Sequence, residues 1–379
     1  MLTCTCFCYQ KMGSLCDKLP DELLEEILVE LPEPSILNFK RVSKSWYNLF
    51  SSHCFLYLHS LTPHSASQPF VLFHPFFHKK SPIFTISLKH HEHIMQLSEL
   101  PHSSSWMPRK IKCSNGILCI LINKDAFCIV NPATGQSTRL PHIHGPPIVH
   151  FGFYFDPQNC KFKVLAVLFI EIHVVFDSTI GKWVEPSEAL IFSLREIKSI
   201  GHTCYIYDRV NTLDLIAFDM VKEELHIIPA PPQTECNDHV GVMEWDGCIS
   251  MAVASHNLEL RLWALRKGKT WEKVVDANLG EWGLKSRYEY GYIYPKVVVG
   301  NDILIVYGNK IVSYGIESGR LNVLLPREEG LCHGDYLSYK PTLLSFDYDD
   351  GKKVKGGKKK SSLAQSCPKC KEKKASFIT

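Results

Sequence analysis

The sequence has no run of about eighteen apolar residues, the length a helix needs to cross a bilayer, so a membrane-spanning helix is not expected. It also lacks a surplus of one charge. The formal net charge is +3, and a lysine-rich stretch sits near the C-terminus, so bulk electrostatics is not expected to select nucleic acid as a partner. There is no Gly-rich phosphate loop, no His-Glu-x-x-His helix and no Gly-x-Ser-x-Gly elbow, which removes the usual sequence grounds for an NTPase, a zinc protease or a serine hydrolase. A disulfide framework is not expected either. Fifteen cysteines is an odd number in a long chain, and Cys113, Cys119, Cys128, Cys160, Cys204 and Cys248 lie in apolar stretches where a thiol packs as a small apolar side chain.

The metal-ligand signals are equally thin. His90, His91 and His93, and the pair His142 and His144, fall in polar turns with no carboxylate or cysteine at ligand spacing. Cys4, Cys6 and Cys8 lie in an apolar leader, residues 1–15, that lacks a basic n-region and a long h-region and is expected to be disordered. Cys367 and Cys370 form a single CxxC, half of what zinc requires. No metal, no cofactor and no catalytic residue is expected.

One stretch has strong helical periodicity. Between Leu19 and Pro32 the apolar positions 23, 24, 27, 28 and 31 share a face, while Glu22, Glu25, Glu26 and Glu30 point away. Pro20 suits a first helical turn and Pro32 a stop. Ser35 is expected to cap a second helix, and Ser43 a third carrying Trp46, Leu49 and Phe50. About forty residues cannot bury so much apolar surface alone. The oily side of these helices is expected to be completed by another polypeptide, not by the chain's own β domain.

Beyond about residue 60 the pattern changes to short Val-, Ile-, Phe- and Tyr-rich runs separated by Gly, Pro, Asn and Asp. A unit recurs in which a strand ends in a polar turn and a return strand closes on an aromatic or leucine, often before proline. Its turn-start positions are 87, 131, 177, 219, 265 and 315, at spacings of 44, 46, 42, 46 and 50 residues. That period in an all-β chain predicts four-stranded propeller blades, because one blade cannot bury both faces and must stack against others. The copies predict six blades; a β-sandwich built from the same strands is the alternative. Trp183, Trp263 and Trp271 recur near repeat positions and are expected in blade cores. After Asp350 the composition shifts to Lys, Gly and Ser, and 352–360 reads as a disordered basic tail or a nuclear-import signal.

Two family resemblances follow from these residues. Leu19-Pro20, Leu23, Ile27-Leu28, Leu31-Pro32, Leu37, Phe39, the run from Arg41 to Trp46, and Phe55 resemble an F-box. That resemblance implies docking on a Skp-family adaptor, which bridges to a cullin scaffold. Its adaptor-binding residues would be Leu19, Pro20, Leu23, Ile27, Leu28, Leu31, Pro32, Val42 and Trp46. The later chain is similar to the F-box-associated domain of plant F-box proteins, related in style to kelch propellers. The matching segments are Cys113–Cys119, Asn131–Gly135, Gly152–Pro157 with Phe162–Val164, Ala217–Asp219 through Ile228-Pro229, and Tyr339–Leu343. The kelch double glycine is absent.

The resulting expectation is a small all-α three-helix module, 16–60, and a large all-β domain, 61–348, a six-bladed β-propeller, between the leader and a tail at 349–379. The implied function is the substrate-recognition subunit of an SCF-type ubiquitin ligase, cytoplasmic and/or nuclear. It is not itself an enzyme, and its substrate protein is unspecified. An F-box scaffold outside a ligase and a propeller enzyme are the rival readings.

Overall fold

The structure, a computed structural model, describes residues 21–62, 70–75, 82–86, 94–99, 110–169, 172–186, 197–207, 213–236, 238–267, 270–285, 293–308, 310–325 and 334–348. Short N-terminal helices lead into a large all-β propeller domain.

Four helices are described where three were expected: α1 (Asp21–Leu28), α2 (Glu33–Phe39), α3 (Lys44–Ser51) and α4 (His53–Leu61). Ser43 caps α3 as expected, its hydroxyl accepting from the Trp46 N–H at 3.2 Å. Helix α2 starts earlier than Ser35 would place it, with Pro32 at the cap and Pro34 in the first turn. Helix α4 is capped by Ser52, which accepts from the Phe55 N–H at 3.2 Å. Its residues Phe55 to His59 are all buried, so it has no polar face for periodicity to reveal. It lies inside the apolar mass that joins the helices to the β domain.

Strands β1 (Phe70–Pro75), β2 (Pro82–Ile86) and β3 (Ile94–Glu99) open the β domain. The next sheet is β4 (Lys110–Ser114), β5 (Ile117–Asn123), β6 (Ala126–Asn131) and β7 (Gln136–Arg139). It is followed by β8 (Ile148–Asp156), β9 (Lys161–Leu168), β10 (His173–Asp177) and β11 (Lys182–Val184). Then come β12 (Ile197–Ile200), β13 (Thr203–Tyr207), β14 (Leu215–Asp219) and β15 (Glu224–Ile228). The fourth such group is β16 (His239–Trp245), β17 (Cys248–Ala254), β18 (Glu259–Arg266) and β19 (Thr270–Asn278). The fifth is β20 (Ile293–Val299), β21 (Asp302–Tyr307), β22 (Lys310–Gly315) and β23 (Leu321–Leu325).

Blades made of four consecutive strands therefore number five rather than six. The remaining four-stranded sheet is composite: β24 (Gly334–Tyr339) pairs with β1, placing Tyr339 opposite Phe70, in the order β24-β1-β2-β3. The strands form separate four-stranded sheets and not the two facing layers of a sandwich. Strands β24, β4, β8, β12, β16 and β20 touch one another in that order and close on themselves. Second strands such as β5 and β17 are buried on both faces, which explains why they are almost wholly apolar. The outer strand β7 alternates between half-buried and exposed.

The repeat detected in the sequence is the hairpin from third to fourth strand. At four of its copies a carbonyl at the turn start accepts from the N–H four residues on: Asn131 from Gly135 at 2.9 Å, and Asp177 from Gly181, Asp219 from Glu223 and Gly315 from Gly319 at 2.8 Å. That fourth residue has a positive φ each time, between 61° and 74°, which is why glycine fills it three times out of four. The acidic or amide side chain at the start closes the turn. Asn131 accepts from Ala133 N–H at 2.9 Å, Asp177 from Thr179 at 2.7 Å, and Asp219 from Val221 at 2.8 Å.

Proline after the fourth strand also has a role. Trp183 donates to the Pro141 carbonyl at 2.8 Å and Trp271 to the Pro229 carbonyl at 2.7 Å, so the closing Trp of one blade is bonded to the closing Pro of the blade before. These two tryptophans are partly exposed links between blades, whereas Trp263 is buried.

After β24 the chain crosses the first consecutive blade as a strap. The Asn131 amide donates to the carbonyls of Thr342 at 3.0 Å and Leu344 at 2.7 Å, and Gln136 exchanges two hydrogen bonds with the Phe346 backbone. Gly116, at φ +77°, lies under this strap, and a Cβ there would come within 2.5 Å of the Lys340 carbonyl.

Candidate functional site

The helices carry apolar side chains on two sides, and the structure gives them different fates. The inward side is finished within the chain. Phe39, Trp46, Phe50 and Phe55 form a ladder with neighbouring centroids 5.0–5.5 Å apart for the Phe39–Trp46, Trp46–Phe50 and Phe50–Phe55 pairs. Leu28, Ile36, Phe50 and Phe55 belong to one continuous core with Ile117, Phe127, Phe151 and Leu343 of the β domain. Polar bonds fix this junction. The Lys340 ammonium donates to the carbonyls of Ser60 at 3.2 Å and Thr62 at 2.7 Å, and a ring nitrogen of buried His59 meets the Leu31 carbonyl at 2.9 Å. Burial holds Lys340 below the ordinary lysine range, with Glu33 and Glu30 acting against that shift.

The outward side remains open. Leu23 is 48% exposed, Ile27 56% and Val42 46%, and Leu37 and Tyr47 are also exposed. Leu23 and Ile27 stand four residues apart on α1 and so share a face.

The residues singled out in the sequence therefore divide. Leu23, Ile27 and Val42 face solvent. Leu28, only 4% exposed, is in the core, and half-buried Leu31 and Trp46 pack against it. Pro32 is half-buried at the start of α2. Leu19 and Pro20 lie outside the described residues, as do His90, His91 and His93, the leader and tail cysteines and the lysines of 352–360. The expectation that the oily side as a whole awaits a partner is corrected: α4 and the β domain cover half of it.

Among the described residues no group of three or more His, Cys, Asp or Glu side chains is placed to hold a metal ion, and His142 instead lies 3.5 Å from Asp125. The interior thiols are core groups: burial pushes Cys113 and Cys204 up to about 12 and Cys160 up to about 11, so none is a thiolate near neutrality.

The sequence reading missed a second feature, the space enclosed by the inner strands. One end is a cavity of about 490 Å³, to which Lys110, Lys112, Lys198, Lys296, His150 and His239 contribute. Tyr205, Tyr207, Tyr294 and Tyr336 line it too, and among the described residues its one carboxylate is Asp335. The other end, about 400 Å³, shares Lys112 and Lys198 and adds Glu244, Asp246 and Lys340. Lys340 also touches α4, so this second end lies on the helical side. Glu244 is pushed up by burial, with Lys198 acting against that shift. A faint sequence signal existed: Lys110-Ile111-Lys112 alternates, putting two ammonium groups on one face of an inner strand while Ile111 is buried on the other.

Comparison with known proteins agrees with this architecture. The family described as "F-box associated beta propeller domain" matches residues 72–306, and "F-box domain" matches residues 16–58. Similar proteins from Arabidopsis thaliana include "F-box/LRR-repeat protein At2g43260", 24% identical over 324 residues, which span 78% of this chain and 75% of that protein. "F-box protein At5g49610" is 28% identical over 295 residues, covering 69% of this chain and 79% of the relative. "F-box protein At2g14710" is 28% identical over 173 residues, covering 44% of this chain and 42% of the relative. With its helices, its propeller and both family matches in register, the chain belongs to the F-box-associated β-propeller family and carries an F-box ahead of the propeller.

Proposed function

We propose that the chain is the substrate-recognition subunit of an SCF-type ubiquitin ligase. The F-box docks a Skp-family adaptor, the adaptor connects to a cullin scaffold, and the propeller holds a substrate protein. The observation that carries this reading is the open apolar side of the helices, with Leu23, Ile27 and Val42 exposed while the opposite side is already packed. Leu37 and Tyr47 extend the adaptor surface, and Leu19, Pro20 and Pro32 remain proposed contacts. Leu28, Leu31 and Trp46 act indirectly, by setting the shape of the module. The propeller reads as six-bladed, because β24 touches both β20 and β4 and so makes the composite sheet the closing blade.

The chain contributes proximity and no chemistry of its own. Tethering a substrate raises its effective concentration near a separately recruited conjugating enzyme, an advantage that needs no catalytic side chain here. The proposed location is cytoplasmic and/or nuclear.

Co-purification tests the assembly. Tagged chain should bring down both a Skp-family adaptor and a cullin. Recovery of the adaptor without cullin would favour a scaffold outside a ligase, and recovery of neither would overturn both.

A further inference from the structure

We infer that the lysine-lined end of the central channel is the substrate port, and that it receives a phosphorylated side chain of the substrate protein. This rests on the substrate-recognition reading above and adds the place and the chemistry. The first argument is charge. Among the described residues, four lysines and a single aspartate surround a cavity of about 490 Å³. Ammonium groups converging in a partly dehydrated channel focus a positive field that water would otherwise screen. Asp335 is engaged as an acceptor, its carboxylate taking the Ile111 N–H at 2.8 Å.

The second argument is construction. Two of the ammonium groups are held by the scaffold. Lys112, buried, donates to the Ile197 carbonyl at 2.7 Å, and Lys110 donates to the Val149 carbonyl at 2.6 Å. The Lys110 bond runs from β4 to the adjacent inner strand β8 and the Lys112 bond to β12, one strand further round the ring, so these two charges are positioned before any ligand arrives and little ordering of them remains to oppose binding. At the rim, Lys296 lies over the Tyr294 ring at 5.1 Å, and Tyr294 packs against His239 at 4.4 Å.

The third argument is selectivity between the ends. Among the described residues the opposite end carries Glu244 and Asp246 against Lys112, Lys198 and Lys340 and lies beside the helices, so the first end is the more positive of the two and favours a dianion more. The cavity's size suits one side chain with its flanking backbone, and it is too small for a nucleic-acid duplex. Several N–H donors around one site suit a phosphate, whose oxygens accept charge-assisted bonds.

The test uses the full chain co-expressed with its adaptor. Two fluorescein-labelled peptide libraries are compared by anisotropy, one with a fixed central phosphoserine and one with serine. The phosphorylated library should bind at least tenfold tighter, lose that margin at high salt, and be displaced by free phosphoserine. Lys296→Glu, at the half-exposed rim, should weaken binding at least tenfold and leave adaptor capture and the melting temperature unchanged. Lys110→Gln should weaken it less. Equal binding of the two libraries, or indifference to Lys296→Glu, would overturn the inference, as would binding of inorganic phosphate or a single-stranded oligonucleotide but not of the peptides. Adaptor capture is read on the same samples. Its loss would count against the ligase reading, and peptide failure with intact capture would count against the port alone.

Discussion

Replacing Leu23 and Ile27 together by aspartate is expected to weaken adaptor binding by at least two orders of magnitude, roughly the value of burying two such side chains. The effect on folding should be small. Both side chains are about half exposed in the chain, and exposed substitutions usually change stability by no more than about 0.5 kcal/mol. In the complex the same positions are taken from water, where each apolar side chain contributes about 1.5–3 kcal/mol and an unpaired carboxylate adds a desolvation penalty. Binding to purified adaptor and calorimetric melting, run on the same preparation, separate the two effects. Undiminished binding would remove Leu23 and Ile27 from the interface. Leu28→Asp with Leu31→Asp would look similar in a pull-down for another reason: Leu28 sits in the core shared with Phe50 and Phe55, so that variant should melt early.

The second large effect is on stability. Asn131→Ala should cost about 2–3 kcal/mol, because two buried strap carbonyls lose their donor at roughly 1 kcal/mol each, while the turn N–H groups of half-buried Ala133 and exposed Thr134 lose their acceptor at less. Asn131 is fully buried, and its amide serves Thr342 and Leu344 while its carbonyl serves Ala133 and Thr134. At the usual slope for a domain of this size, the melting midpoint should fall by about 4–5 °C. Gln136→Ala removes the Phe346 pair at a less buried position and should cost about 1 kcal/mol. Thermal unfolding of the two variants checks the ordering. Equal losses would contradict the idea that Asn131 is the main fastening of the strap.

Much of this fold was legible locally. Helix α1 announced itself through the spacing of Leu23, Leu24, Ile27 and Leu28, and α3 through Ser43. The hairpin turns at 131, 177, 219 and 315 were visible because each needs a turn-forming side chain or a left-handed residue at a fixed offset. What stayed hidden was non-local or uniform. Strand β24 pairs with β1 across most of the chain, and no local pattern marks that closure. Helix α4 is buried from Phe55 to His59, more than a full turn, so its period is silent. Leu28 and Ile27 are neighbours with identical polarity, yet one faces the β domain and the other solvent. Periodicity locates an apolar face but cannot say which part of it the rest of the chain will cover. The channel lysines went unnoticed for a related reason: they converge only when strands far apart in sequence close into a ring.

On the proposed function, the open side of the F-box helices is completed by another polypeptide. Amide hydrogen exchange of the chain, alone and with a purified Skp-family adaptor, tests it directly. The adaptor should slow exchange within residues 21–47, around Leu23, Ile27 and Val42, and leave the propeller strands unchanged. Protection confined to the propeller, or no protection at saturating adaptor, would contradict it.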